Sequence, residues 1–211
     1  MDVGETKVAA PRGRPRDPER ERRVLVAAIE EYSARGWAGL TMDGVAKRAG
    51  VGKSTIYLRW TNKEDLLAAA VQSMAETIQP LDTGSLRGDL DLLTRNLCMQ
   101  YRTDIGWGLV RILIDVAGSG HGVTELREVN EAHRQAALAI LDRAVERGEL
   151  RDGVPGQLVI NALYGTVMTY RMMQPYDEMK GSAPKPEDIV TEVVDFVMAG
   201  LGPYLTGAAD A

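Results

Sequence analysis

The stretch at residues 41–63, TMDGVAKRAGVGKSTIYLRWTNK, most narrows what this chain can fold into. Thr41 is a good helix N-cap, Val45, Ala46 and Ala49 mark one apolar face at helical spacing, and Gly50 stands where a helix ends in the left-handed conformation. A second short helix follows over residues 53–60. Its Ile56 and Trp60, four apart, can pack inward, while Lys53, Ser54, Thr55, Tyr57 and Arg59 place positive charge, hydroxyls and an aromatic ring on the other sides. Two short helices around a tight turn, with that mixture left outside, suit a surface that lies on DNA.

The helical period recurs through the rest of the chain. In residues 18–35, Leu25, Ala28, Ile29 and Tyr32 fall on one face and Gly36 stops the helix, after which Trp37 and Leu40 staple the loop to a three-helix core. Asn62 caps a helix with Glu64 and Asp65 in its first turn, running toward Ile78. Ser85 caps one carrying Leu86, Leu90, Leu93, Leu97 and Tyr101; shorter apolar residues 105–117 follow, then a glycine loop at 118–122, then a long helix over 124–147 closed by Gly148. Residues 155–173 leave almost no polar face and must be covered on all sides. A last helix over 186–201 opens on Pro186 and ends at Gly200, Gly202 and Pro203. With no alternating strand pattern, the expected fold is all-α with about nine helices.

Charge sharpens the division of labour. Residues 1–63 hold 13 Lys and Arg against 8 Asp and Glu, whereas residues 64–211 hold 12 against 22, so a basic end sits on an acidic body despite the net charge of -5. Only that end is suited to phosphates. No apolar run approaches the ~18 to 20 residues that cross a bilayer, so no membrane partner is expected. The N-terminus lacks an apolar signal core and Cys98 is the single cysteine, which together point to a reducing cytoplasm. Residues 1–17 read as a flexible arm in which Arg14 and Arg16, beside Arg12 on a Gly/Pro backbone, can enter a narrow minor groove.

The run AGVGKSTIYLRWTNKEDLL, with Ala46, Gly50 and Val51 at helix-turn-helix positions, resembles the TetR family of bacterial transcription regulators over roughly residues 19–71. The resemblance implies a DNA-binding domain at residues 18–64 and a helical ligand-binding and dimerisation domain at 65–211, acting as a homodimer on a double-stranded operator. It further implies that Thr41 and Lys63 meet phosphates, that Lys53, Ser54 and Thr55 lie near bases or phosphates, that Tyr57 meets a phosphate or a thymine methyl, and that Lys47 and Arg48 lie near the backbone. Two positions depart from the family pattern: Gly52 stands where Ser or Thr is usual, and Arg59 with Trp60 replaces the common His-Phe. Arg59 thereby adds charge to the reading surface.

Other chemistries find little support. Gly52-Lys53-Ser54 imitates the end of a phosphate-binding loop, but the earlier glycine such a loop needs would fall at Lys47 and no strand precedes it. His121 and His133 have no adjacent Cys, Asp or Glu at ligand spacing, Ser119 lacks the nucleophile elbow, and Cys98 sits on an apolar helix face. No enzyme, cofactor or metal site is expected. Met99, Tyr101, Trp107, Met168 and Met172 are the side chains expected to line a cavity for a largely apolar effector. The apolar helix at 155–173 is expected to pair with that at 186–201 across a twofold axis. The competing reading is a helical carrier or enzyme whose DNA-binding unit is a vestige.

Overall fold

The computed structural model describes residues 17–75, 81–119, 124–174 and 186–206. Asp17 caps α1 (Pro18–Gly39) by accepting the Arg20 N–H at 3.2 Å, and Pro18 occupies the first turn, where no backbone donor is needed. The helix breaks at Gly36, whose φ of 66° suits glycine, and the chain folds back through a Leu40 N–H donated to the Gly36 carbonyl at 3.0 Å. The buried face of α1 then packs with α2 (Met42–Ala49), α3 (Lys53–Tyr57) and α4 (Lys63–Ala75) around Ile29, Tyr32, Leu40, Val45, Ile56, Leu66 and Val71. The second helix of the motif is shorter than its periodicity suggests: it ends at Tyr57, and Leu58–Trp60 form a turn in which the Arg59 N–H bonds to the Ile56 carbonyl at 2.9 Å.

A second core joins α5 (Leu86–Gln100), α6 (Asp104–Ser119), α7 (Thr124–Glu146), α8 (Gly156–Met173) and α9 (Pro186–Gly200), with a 3-10 turn at Gly202–Tyr204. Leu90, Leu97, Ile140, Leu163 and Val190 lie at its centre. Its one extended feature among the described residues is an isolated antiparallel bridge between Leu150 and Leu205. Asp89 is fully buried and accepts from Thr83 N–H at 2.5 Å and Thr83 Oγ1 at 2.7 Å, with Arg147 at 3.4 Å and Arg143 at 4.0 Å on its other side. That carboxylate ties the entry of α5 to α7, and the two arginines offset the cost of burying it.

The two cores are joined by α6, which places Ile112 in the first and Val110 in the second. Its outer face lies on α1. Tyr32 Oη donates to Asp115 at 2.8 Å, and Arg111 donates to the Ser33 carbonyl at 2.6 Å. Burial and the Asp115 carboxylate both push the Tyr32 phenol upward, so it stays a donor across the working pH range. Gly108 allows the close approach, since a Cβ there would stand 2.9 Å from Ile29 Cγ2.

Within one chain α8 is not covered on all sides. Ile160, Leu163 and Val167 are buried, whereas Leu158 is 67% exposed and Met173 76%, and Phe196 on α9 is 70% exposed. The chain's own core covers one face, and the apolar residues of the other remain in contact with solvent. Among the described residues, no helix is long and apolar enough to cross a membrane.

Candidate nucleic-acid interface and effector cavity

The turn of the motif is built from local hydrogen bonds. Thr41 Oγ1 accepts the Gly44 N–H at 3.0 Å, capping α2. At the other end Gly50 has φ 65° and ψ 37°, its N–H reaches the Lys47 carbonyl at 3.3 Å, and the Val51 N–H reaches the Ala46 carbonyl at 3.0 Å. This is a Schellman closure, which needs the left-handed residue that glycine supplies; no atom crowds the position, so conformation alone requires it. Ile56 and Trp60 are buried and orient α3, leaving Lys53, Ser54, Tyr57 and Arg59 exposed and Thr55 half-buried. Leu58, at 84% exposure, extends the same surface and was not singled out by sequence reasoning.

Several cations of this surface are already partnered by the protein's own acids. Lys53 pairs with Asp43, and Arg59 pairs with Glu21 of α1. Arg48 donates to Glu31 through two nitrogens at 2.9 and 2.8 Å, and Arg35 reaches the same carboxylate at 2.8 Å. Glu31 is 4% exposed, so this pair docks α2 onto α1. Lys63 donates to the Trp37 carbonyl at 2.9 Å with its ammonium 4.1 Å above the Trp37 ring. Lys47 is exposed and makes no ion pair with another described residue. Arg14 and Arg16 lie outside the described residues. Glu31→Ala is expected to lower stability by roughly 1–3 kcal/mol, less than loss from a wholly buried pair because both arginines reach water, and thermal unfolding measures it.

A cavity of about 480 Å³ lies in the body, walled by α4 through α8. Val71 and Met74 come from α4, Leu93 and Leu97 from α5, and Ile105, Leu109, Val110 and Leu113 from α6. Asn96, Gln100, Thr103, Asn130 and His133 add polar groups, and Tyr101 and Tyr164 add phenols. Burial pushes Tyr101 up to about 12 and Tyr164 upward as well, so both rings keep their protons. Of the five side chains expected from sequence to line the pocket, Tyr101 does so. Met99 and Met172 are more than half exposed, Trp107 stacks beneath Arg171 at 5.4 Å, and Met168 packs against the body core. Sequence reasoning missed the carboxamides, whose signal was a polar pair one turn apart, Asn96 and Gln100, beside the Leu93 and Leu97 stripe of α5.

Cys98 is buried with its thiol pushed up by desolvation, and no group of three or more His, Cys, Asp or Glu among the described residues could hold a metal ion. His121 lies outside the described residues.

A helix-turn-helix unit seated on a helical body that carries its own cavity defines the class of one-component transcription regulators. Residues 24–70 match the bacterial regulatory proteins of the tetR family, and residues 80–197 match the tetracyclin repressor-like C-terminal domain. The chain belongs to the TetR family. It is 30% identical over 177 residues to the uncharacterized HTH-type transcriptional regulator YdeS of Bacillus subtilis, covering 81% of this chain and 87% of that protein. It is 32% identical over 149 residues to the HTH-type transcriptional regulator AqdR of Rhodococcus erythropolis, covering 70% and 72%. The fold is similar to that of the transcriptional regulator FadR from Bacillus subtilis in complex with stearoyl-CoA, with a TM-score of 0.69, 20% identity and coverage of 84% and 97%.

Proposed function

We propose that this chain is a ligand-responsive repressor that binds a pseudo-palindromic operator as a homodimer and leaves it when a small molecule fills the body cavity. The observation that carries the reading is the position of α6, which gives Ile105, Leu109 and Leu113 to the cavity and Gly108, Arg111 and Asp115 to α1. An occupant that displaces the inner face of α6 moves the outer face with it, and α1 carries the recognition unit. Helix α4 supplies a second route, since Val71 and Met74 face the cavity while Leu66 and Leu67 sit in the N-terminal core.

A twofold dimer would present its two α3 helices roughly 34 to 36 Å apart, one turn of DNA, and an effector would shift the population toward a spacing that no longer fits. The uncovered apolar residues of α8 and α9 supply a surface for that dimer. On the DNA side, Tyr57 and Lys47 are free to reach the duplex, whereas Lys53 and Arg59 must first exchange a carboxylate for a phosphate. Binding of the DNA upstream of the protein's own gene, followed by gel shift across a salt titration, tests the reading. Affinity is expected to fall steeply with salt, and a flat response would remove phosphate-led binding.

The competing reading, a carrier with a vestigial DNA-binding unit, predicts no specific shift of that DNA. The intact caps, the Schellman closure and the exposed Tyr57 favour the repressor.

A further inference from the structure

The lining of the cavity combines a hydrocarbon wall with uncharged hydrogen-bonding groups. Among the described residues, its lining includes no Asp, Glu, Lys or Arg. Asn96 and Gln100 are one turn apart on α5, and Asn130 comes from α7; none of these three carboxamides hydrogen-bonds to another described residue. Each offers both a donor and an acceptor. His133 borders the same space and is already engaged by a neighbour. Of the described arginines near it in sequence, Arg95 pairs with Asp91 at 3.0 Å and Arg134 with Glu131, while Arg102, between Tyr101 and Thr103, is exposed and is not part of the lining. Leu93, Leu97, Leu109, Val110 and Leu113 supply the apolar remainder.

The volume falls within the roughly 300–1,000 Å³ typical of small-molecule sites. A carboxylate or phosphate brought here would lose water with no cation among the described lining residues to replace it, whereas an amide, ketone or hydroxyl would gain donors and acceptors that currently lack protein partners. We infer that the effector is an uncharged amphipathic small molecule whose hydrogen-bonding head is held by Asn96, Gln100 and Asn130 and whose hydrocarbon part lies along the inner face of α6. This rests on the regulatory reading above only for the consequence of binding, not for binding itself.

The test uses the full chain and three probes that share one hydrocarbon tail: decanamide, decanoate and decanoyl-CoA. Isothermal titration is expected to give decanamide an affinity at least about tenfold higher than either charged probe, the difference expected when one well-made hydrogen bond replaces an uncompensated charge. Gln100→Leu and Asn130→Leu, which keep side-chain bulk, are each expected to weaken decanamide by about tenfold. Unfolding curves of the unliganded variants identify any that fail to fold, and the probe series on the unaltered protein stands regardless. Decanoate or decanoyl-CoA binding as tightly as decanamide would overturn the inference. So would an amide that does not saturate the protein, or one whose affinity is unchanged in both folded variants.

Operator release is measured separately. A decanamide that binds without releasing DNA leaves the ligand class standing and removes the coupling; a charged probe that releases DNA does the reverse.

Discussion

Phe196→Asp is expected to leave the protein monomeric and without measurable hold on its operator. Phe196 is 70% exposed in the single chain, and Leu158 on the neighbouring α8 is 67% exposed. A large apolar side chain left in water on two adjacent helices is the pattern of a surface meant to be covered. A twofold axis would place the introduced carboxylate in the interface twice, where each charge would be desolvated without a partner. One recognition unit alone then has only half a site, and its affinity falls toward the roughly 10⁻⁴–10⁻⁶ M of non-specific binding. Light scattering after gel filtration reads the assembly, and a gel shift reads the DNA. A dimeric Phe196→Asp protein that still binds would move the interface elsewhere on the molecule.

Tyr57→Ala should have the second largest effect, for the opposite reason, because it leaves the fold alone. The ring is 54% exposed at the end of α3, so truncation removes little packing, and unfolding should shift only slightly. Loss of a direct contact costs about 1–3 kcal/mol per half-site, or roughly fivefold to 150-fold each. Tyr57→Phe separates the two contacts a tyrosine can make. Retained affinity in Tyr57→Phe assigns the ring to a thymine methyl, and loss matching Tyr57→Ala assigns the hydroxyl to a phosphate. If neither variant weakens binding, Tyr57 does not touch the duplex.

What could be read from the chain was whatever its local chemistry decides. Thr41, Gly50, Asn62 and Ser85 act at helix ends through bonds to residues a few positions away, and each does so in the structure. The motif's second helix was overestimated because Ile56 and Trp60 keep helical spacing through the turn that follows α3, so the period continues after the helix has ended. Ion pairs across long separations carried no such signal: Arg48 and Glu31 are seventeen residues apart and meet only because Gly44, whose Cβ would stand 2.5 Å from Glu31 Oε1, lets α2 lie close to α1.

The cavity was hardest to see. Methionines at helical spacing invite a pocket reading, yet Met99 and Met172 turn outward, because which face of a helix looks inward is decided by the helices packed around it. The polar residues Asn96 and Gln100 were the better clue. On α5, whose other face is leucine-rich, they had either to meet solvent or to meet something that fills a cavity.

The acids that hold Lys53 and Arg59 bear on how the protein searches a genome. A lysine already neutralised by Asp43, and an arginine by Glu21, attract a random phosphate less than free cations would. On the proposed interface their charge would become available only where the duplex offers enough other contacts to displace the internal carboxylate. On that interface the carboxylates would act as a tariff on indiscriminate binding, weakening the grip on the many wrong sites more than on the right one, and would let a protein of net charge -5 move along DNA without lingering.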